Sequence, residues 1–321
     1  MQQLVAELLK GNRRAAARLI SLVENDDPLK RELLKEIYPH TGDAYLIGIT
    51  GAPGSGKSSL VDCLLQQMRK DGLTVGVIAV DPTSPFSGGA ILGDRIRMQD
   101  HALDQGIFIR SMGTRGNLGG LSRSTREAIQ VLDAFGKDIV LIETVGVGQS
   151  EIDIVKTADT TLVVLTPAGG DSVQTIKAGI MEIADIFVVN KADLPGADRT
   201  ATEINMMLDM KHGEAWRPPV KPTVAMRAEG IADLWQSLQK HRSYMEESGR
   251  LLEIRRERVR RELTDQVEYL VKNQIWDQVK AQIELDSLVK KIANREQDPY
   301  SAATDLLAEI NFYPDVAREG G

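Results

Sequence analysis

The sequence predicts an α/β fold with a doubly wound, mainly parallel sheet, on three observations. Between about Ala44 and Leu238, short continuous apolar runs alternate with stretches of helical periodicity; the runs are Leu46–Ile49, Val75–Val80, Ile107–Ile109, Ile139–Ile142, Leu162–Leu165, Ile186–Val189 and Thr223–Ala225. Strands that are apolar along their whole length are buried on both faces, which a parallel sheet covered by helices provides. Next, Gly51-Ala52-Pro53-Gly54-Ser55-Gly56-Lys57-Ser58 fills every fixed position of G-x-x-x-x-G-K-[ST]. It follows the strand-like Ala44–Thr50 and precedes a helical pattern through Leu60, Leu64 and Met68, so strand, loop and helix stand in the required order. Finally, polar segments stand directly after the runs, at the carboxyl ends of predicted strands, where open α/β sheets bind ligands.

The elements flanking this sheet are helical. From Met1 to about Pro39, Leu4, Leu8, Ala15, Leu19 and Val23 suggest one helix, and Asp27-Pro28 opens a second through Leu33, Leu34 and Ile37. From about His241 onward no run reads as a strand. Leu252, Val259, Leu263, Val267, Leu270, Val271 and Ile275, set among many Arg and Glu residues, form the stripe of a long amphipathic helix, and Ile283–Ile292 and Ala302–Ile310 continue the helical signal. The expected organisation is an N-terminal helical extension over 1–40, a nucleotide-binding domain over 41–240 and a C-terminal helical arm over 241–321. No internal repeat or low-complexity tract interrupts it.

Composition limits the setting. The chain has 321 residues, 42% hydrophobic and 26% charged, ordinary proportions for a globular protein with a sizeable core. A net charge of −7 leaves no broad basic surface for a nucleic-acid backbone, so no nucleic-acid partner is expected. The one cysteine, Cys63, cannot form an intrachain disulfide and reads as a small buried helix residue in a reducing compartment. No apolar run approaches the ~20 residues that span a bilayer, and the N-terminus has no signal-peptide core. A cytoplasmic protein without a membrane partner is expected.

The motifs carry a nucleotide chemistry. In the loop over Gly51–Ser58 the glycines let successive backbone N–H groups face phosphate oxygens, Lys57 reaches the β- and γ-phosphates, and the Ser58 hydroxyl, followed by Ser59, is placed to ligate Mg²⁺. Asn190-Lys191-Ala192-Asp193 matches N-K-x-D. The Asp193 carboxylate accepts from both the N1–H and the exocyclic amine of guanine, bonds that adenine does not supply, and this points to GTP. After the Thr223–Ala225 run, Val224-Ala225-Met226 is expected to bring a backbone N–H towards guanine O6; many GTPases have Ser-Ala there, so Val224 is a departure. Glu143-Thr144-Val145-Gly146 is an E-x-x-G version of D-x-x-G, in which the carboxylate holds Mg²⁺ through water and the Gly146 N–H meets the γ-phosphate. Asp81, at the end of Val75–Val80, and Asp94, after Ser87-Gly88-Gly89, are further metal candidates, and each reads equally as a turn or helix cap. Where Ras-like GTPases place a water-orienting glutamine after that glycine, this chain has Val147. Gln149 or Glu151 could serve instead, and intrinsic hydrolysis is expected to be slow, on the order of 10⁻⁴ to 10⁻² s⁻¹.

Gly51–Ser59, the block from Asp81 to Met98, the loop from Arg110 to Gly120, Glu143-Thr-Val-Gly-Val-Gly-Gln149 and Asn190–Asp193 together resemble the MeaB/ArgK/MMAA family over nearly the whole chain. The resemblance implies a P-loop NTPase fold and a homodimeric GTPase using GTP/GDP and Mg²⁺. It implies a chaperone for adenosylcobalamin-dependent acyl-CoA mutases, methylmalonyl-CoA mutase above all, that gates cofactor loading. By position it assigns Lys57 and Ser58 to the phosphates and Mg²⁺, and Asp81, Asp94 and Glu143 to an acidic metal shell and switch. Asn190 and Asp193 go to guanine, and Pro167–Lys177 to a further switch that communicates with the mutase. Two other functions stand beside it. A small-molecule or protein kinase of the ArgK type would pass the γ-phosphate to an acceptor other than water. A metal-insertion GTPase calls for Cys and His clusters, whereas Cys63 stands alone and His40, His101, His212 and His241 are scattered.

Overall fold

The computed structural model describes residues 2–81, 101, 103–113, 123–144, 150–167, 180–210, 215–282 and 285–309. Seven strands form one parallel sheet: β1 (Tyr45–Thr50), β2 (Val75–Asp81), β3 (Ile107–Gly113), β4 (Ile139–Thr144), β5 (Thr160–Leu165), β6 (Ile186–Asn190) and β7 (Val220–Thr223). Their order is β3-β2-β4-β1-β5-β6-β7, so β1 lies at the centre between β4 and β5. The six residues of β1 and the six of β4 are all buried, as two-sided cover of a parallel sheet demands. The fold is that of a P-loop NTPase.

Helices cover both faces. On one side α1 (Gln2–Leu9), α2 (Arg13–Glu24) and α3 (Lys30–Ile37) pack with α5 (Arg123–Ala134) and α6 (Ser150–Thr157) in a core that includes Leu8, Leu19, Ile20, Leu33 and Ile37. On the other, α4 (Lys57–Lys70) and α9 (Ile231–Glu247) bury Leu60, Leu64, Met68, Leu234 and Leu238 against the sheet. The short α7 (Ile180–Ile183) and α8 (Ala197–Asp209) cover β5 and β6 through Ile204, Leu208 and Phe187. These helices and the sheet belong to one compact unit, Met1–Ile254. The second unit, Arg255–Gly321, contains most of α10 (Arg250–Gln282), together with α11 (Leu285–Ala293) and α12 (Pro299–Glu309). Among the described residues no helix is long and apolar enough to cross a membrane.

Two sequence expectations shift. The single helix expected from Leu4 to Val23 is two, because Gly11 takes a left-handed φ of +82° and the Asn12 side chain caps α2, its Oδ1 accepting from the N–H groups of Arg14 and Ala15. The strand expected over Thr223–Ala225 instead occupies Val220–Thr223 and ends where Ala225–Arg227 turns into a 3₁₀ helix. As an edge strand bonded only to β6, β7 tolerates Lys221-Pro222, which hid it from an apolar reading.

At the amino ends of β1, β5 and β6 lies a polar chain that is buried at Tyr45, Thr160 and His241 and partly open at Asp185. The Tyr45 hydroxyl is 2.6 Å from Thr160 Oγ1, which is 2.8 Å from Nδ1 of His241, and His241 Nε2 lies 3.4 Å from Asp185 Oδ1. Burial pushes the two ionisable ends in opposite directions: Asp185 up to about 7 and His241 down to about 4. A raised carboxylate pKa gives stability that is lost as pH rises towards 7, whereas a depressed imidazole pKa gives stability lost as pH falls from 6.5 towards 4. The two slopes oppose each other between pH 4 and 6.5. Relative to the parent, Asp185→Asn should therefore lose stability on acidification through this window and His241→Gln should gain it. Melting curves at half-unit pH steps check this, and parallel pH profiles for all three proteins would contradict it.

Candidate nucleotide site

The loop after β1 has the backbone that its sequence requires. Gly51, Gly54 and Gly56 have φ of +145°, +76° and +88°, and a Cβ on Gly51 would press on the Val164 carbonyl, one on Gly56 on the Asn190 amide. Gly56 N-caps α4, so Lys57 and Ser58 open a helix whose N–H groups face the cleft end of the sheet. Lys57 is 5% exposed and donates from Nζ to the carbonyls of Gly51 (2.8 Å) and Ala52 (3.0 Å). The Ser55 hydroxyl is buried with no hydrogen-bond partner among the described residues.

The acidic group expected beside this loop is present. Glu143, fully buried near the end of β4, accepts at Oε1 from the Ser58 hydroxyl at 2.7 Å. Register explains the meeting: Glu143 pairs with Ile49 of β1, one residue before the strand's end, and the loop then carries Ser58 back over it. Asp81 ends β2 opposite Gly113 of β3. Asp94, Gly146, Val147 and Gln149 lie outside the described residues, as does most of Pro167–Lys177.

The N-K-x-D segment joins the loop through Asn190. Its Nδ2 donates to the Ser55 carbonyl at 2.8 Å, and its Oδ1 accepts from Thr223 Oγ1 and the Ala225 N–H, each at 3.2 Å. One side chain thus ties the phosphate loop to the segment after β7. Lys191 takes a left-handed φ of +59°, and the Ala192 N–H donates to the Thr223 carbonyl at 3.0 Å, which turns Asp193 back towards the cleft. The Ala225 N–H, expected to face a base, is engaged by Asn190, while Val224 bridges to Glu229 through backbone bonds in both directions.

One cleft of about 550 Å³ gathers these groups. Its phosphate end is lined by Pro53, Gly54, Gly56, Lys57, Ser58, Ser59 and Glu143, and its other end by Asn190, Lys191, Asp193, Val224, Ala225 and Met226. That volume suits a mononucleotide. Three contributors escaped the sequence reading. Leu194 lines the cleft, and its N–H closes the turn on the Lys191 carbonyl at 3.0 Å. Arg227 places a guanidinium nitrogen 3.9 Å from Asp193 Oδ2. Cys63, buried as expected, sets its sulfur 3.1 Å from the Ala225 carbonyl, beneath the segment after β7. Leu194 was within reach of sequence reasoning, since it directly follows the motif; the other two are long-range contacts.

Fold and cleft define a P-loop nucleotide hydrolase with its site at the carboxyl end of the central strand. The chain belongs to the MeaB family: the family described as methylmalonyl Co-A mutase-associated GTPase MeaB matches residues 16–282. It is 54% identical over 314 residues to a candidate GTPase of Pyrococcus abyssi, covering 97% of each chain. It is 37% identical over 270 residues to the mitochondrial methylmalonic aciduria type A homolog of Mus musculus, covering 78% of this chain and 65% of that one. Among solved structures, that of an LAO/AO transport system kinase superposes with a TM-score of 0.71 at 28% identity, covering 96% of both chains. The protein is accordingly a GTPase, and its nucleotide is a guanine nucleotide.

Proposed function

We propose that this GTPase is a chaperone of an adenosylcobalamin-dependent acyl-CoA mutase, methylmalonyl-CoA mutase in the first place, and that nucleotide turnover times the loading of cofactor into the mutase. The observation that carries the reading is membership, over residues 16–282, in a family described by its association with that mutase. In this assignment Asp193 reads guanine and Lys57 meets the terminal phosphates. Gly51, Ala52, Pro53, Gly54, Ser55 and Gly56 supply backbone to those phosphates, and Asn190 holds the two ends of the cleft together.

Mg²⁺ fits the donor set: the Ser58 hydroxyl and the Glu143 carboxylate are hard oxygen ligands already 2.7 Å apart. The ion would neutralise charge developing on the phosphates during transfer to water. Asp81 and Asp94 stand as further contributors by position, as do Gly146 at the γ-phosphate and Gln149 at the attacking water.

With valine at 147, hydrolysis by the purified protein should stay on the order of 10⁻⁴ to 10⁻² s⁻¹ and rise when its client is added. Phosphate release measured alone and with each of several acyl-CoA mutases tests this; no binding and no stimulation by any of them would sink the chaperone reading. A kinase reading is favoured by one observation, the name of the solved relative at TM-score 0.71. Label from [γ-³²P]GTP recovered on an amine or a protein rather than as inorganic phosphate would establish that reading in its place.

Homodimerisation belongs to the same proposal. Along α10, Val259, Leu263, Val267 and Leu270 recur at spacings of four, four and three and are 50%, 65%, 50% and 46% exposed, a solvent-facing apolar stripe. A second copy of the chain is the simplest cover for such a stripe. Light scattering should give a dimer for the full chain and a monomer for one ending at Ile254. A dimer that survives the truncation would show the arm to be dispensable.

A further inference from the structure

A second cavity, of about 480 Å³, opens at the end of the sheet opposite the nucleotide cleft. Asp185, immediately before β6, lies on its wall, while Asn190 of the nucleotide cleft ends the same strand, about 17 Å away along it. Its aromatic wall is Trp216, His241 and Tyr244, with ring centroids 4.7 Å apart for Trp216–His241 and 5.1 Å for Trp216–Tyr244. This wall is fixed: the Trp216 indole N–H donates to the Asp185 carbonyl at 2.9 Å, and His241 is held by Thr160. The Asp185 carboxylate accepts from the Thr161 N–H at Oδ2 (2.7 Å), whereas among the described residues Oδ1 has only the 3.4 Å approach of His241 Nε2. Its side chain is 36% exposed. Glu182 and Arg250 complete the charged lining, and Arg250 donates to the Tyr244 hydroxyl at 2.9 Å.

We propose that this cavity is a binding site for an organic cation, an ammonium or guanidinium group carried on an apolar or aromatic body, with Asp185 as the counter-charge and the Trp216–Tyr244 wall as its platform. Three features select a cation. The carboxylate has one oxygen only weakly satisfied, and a cationic donor would complete it. Aromatic faces beside a carboxylate attract ammonium and guanidinium groups, the more strongly the more the site is desolvated. Desolvation also holds the Asp185 pKa up at about 7 against the opposing pull of Arg250, and an incoming positive charge would add to the compensation of its ionised form. A neutral or anionic ligand would leave that carboxylate as it is. Glu182, on α7, adds negative charge, and Arg250, at the start of α10, limits the site to a single positive head. From α9 the pocket receives the imidazole of His241, kept neutral by burial, and the Tyr244 hydroxyl.

The test is calorimetric titration of the full-length protein with phenethylammonium, with phenylethanol as the neutral and phenylacetate as the anionic control. N-acetyl-lysine amide stands in for a protein side chain. Phenethylammonium should bind, and about tenfold more weakly at pH 6 than at pH 8 as Asp185 takes up its proton. The two controls should not bind. Asp185→Asn should weaken binding about tenfold or more while GDP binding at the far end of the sheet is unchanged. At pH 9, where Asp185 is ionised with or without Arg250, Arg250→Gln should tighten it about threefold by removing a competing cation, a gain that damage to the fold would not produce. Preference for phenethylammonium over N-acetyl-lysine amide assigns the site to a free amine, and the reverse preference to a basic side chain. Equal binding of phenylethanol, no pH dependence, no response to Asp185→Asn, or weakening by Arg250→Gln would each overturn the proposal.

Discussion

Replacing Lys57 with methionine should lower kcat/KM for GTP hydrolysis by about 10²–10³ while leaving the melting temperature unchanged or higher. The two effects have one cause. Lys57 is 5% exposed, so its ammonium is largely removed from water, and the carbonyls of Gly51 and Ala52 at 2.8 and 3.0 Å are among the groups that stand in for its hydration. Methionine keeps the length and apolar bulk of the stem without a charge to desolvate, so the folded state loses little. What it cannot do is meet the negative charge that builds on the phosphates during transfer. The folded protein thus keeps a desolvated cation at the place where the phosphates arrive. Phosphate-release kinetics together with thermal melts, with and without GDP, separate the two effects. The parent should gain stability from GDP by mass action and the variant much less. An unchanged kcat/KM would remove Lys57 from the chemistry, and a large fall in melting temperature would mean that its carbonyl bonds mainly hold the loop.

Contacts between near neighbours were legible in the sequence, whereas contacts between distant segments were legible only where a motif marked both ends, as at Ser58 and Glu143. Six of the seven apolar runs lie wholly within strands, because a strand buried on both faces writes its burial directly into composition. The seventh run was displaced because Val224 and Ala225 are buried by the cleft segment rather than by the sheet, while the strand itself, at the edge, has intermediate or exposed residues at Val220, Lys221 and Pro222. The break between α1 and α2 was hidden because the apolar period runs straight across Gly11-Asn12; only the left-handed glycine and the capping asparagine mark it. At the site, the phosphate loop and N-K-x-D are contiguous segments whose chemistry can be read residue by residue. Asn190 to Ser55 spans 135 positions and Cys63 to Ala225 spans 162, and nothing local in either segment announces such a pairing.

Asp193→Asn should reduce affinity for GDP and GTP by about 10²–10³ and create affinity for xanthine nucleotides. A carboxylate offers two acceptors, which match the N1–H and the 2-amino group of guanine, whereas asparagine offers one acceptor and one donor. Against guanine the new N–H meets another N–H and both lose their partners. Xanthine carries a carbonyl oxygen at that position, so the pairing is restored. The cost to the fold should be small: the Asp193 side chain is 37% exposed, and its ion-pair contact, Arg227 at 3.9 Å, is itself 54% exposed, which leaves a screened pair of little worth. Competition of fluorescent GDP by GDP and by XDP reads the exchange directly, and an unchanged preference for GDP would show that the base is recognised elsewhere. The geometry of the cleft makes the result interpretable, because its two ends are joined by Asn190 through Ser55, Thr223 and Ala225 and not by Asp193. A loss of guanine affinity with the melting temperature retained is therefore lost recognition of the base, since the bonds that hold the loops together are untouched by the substitution.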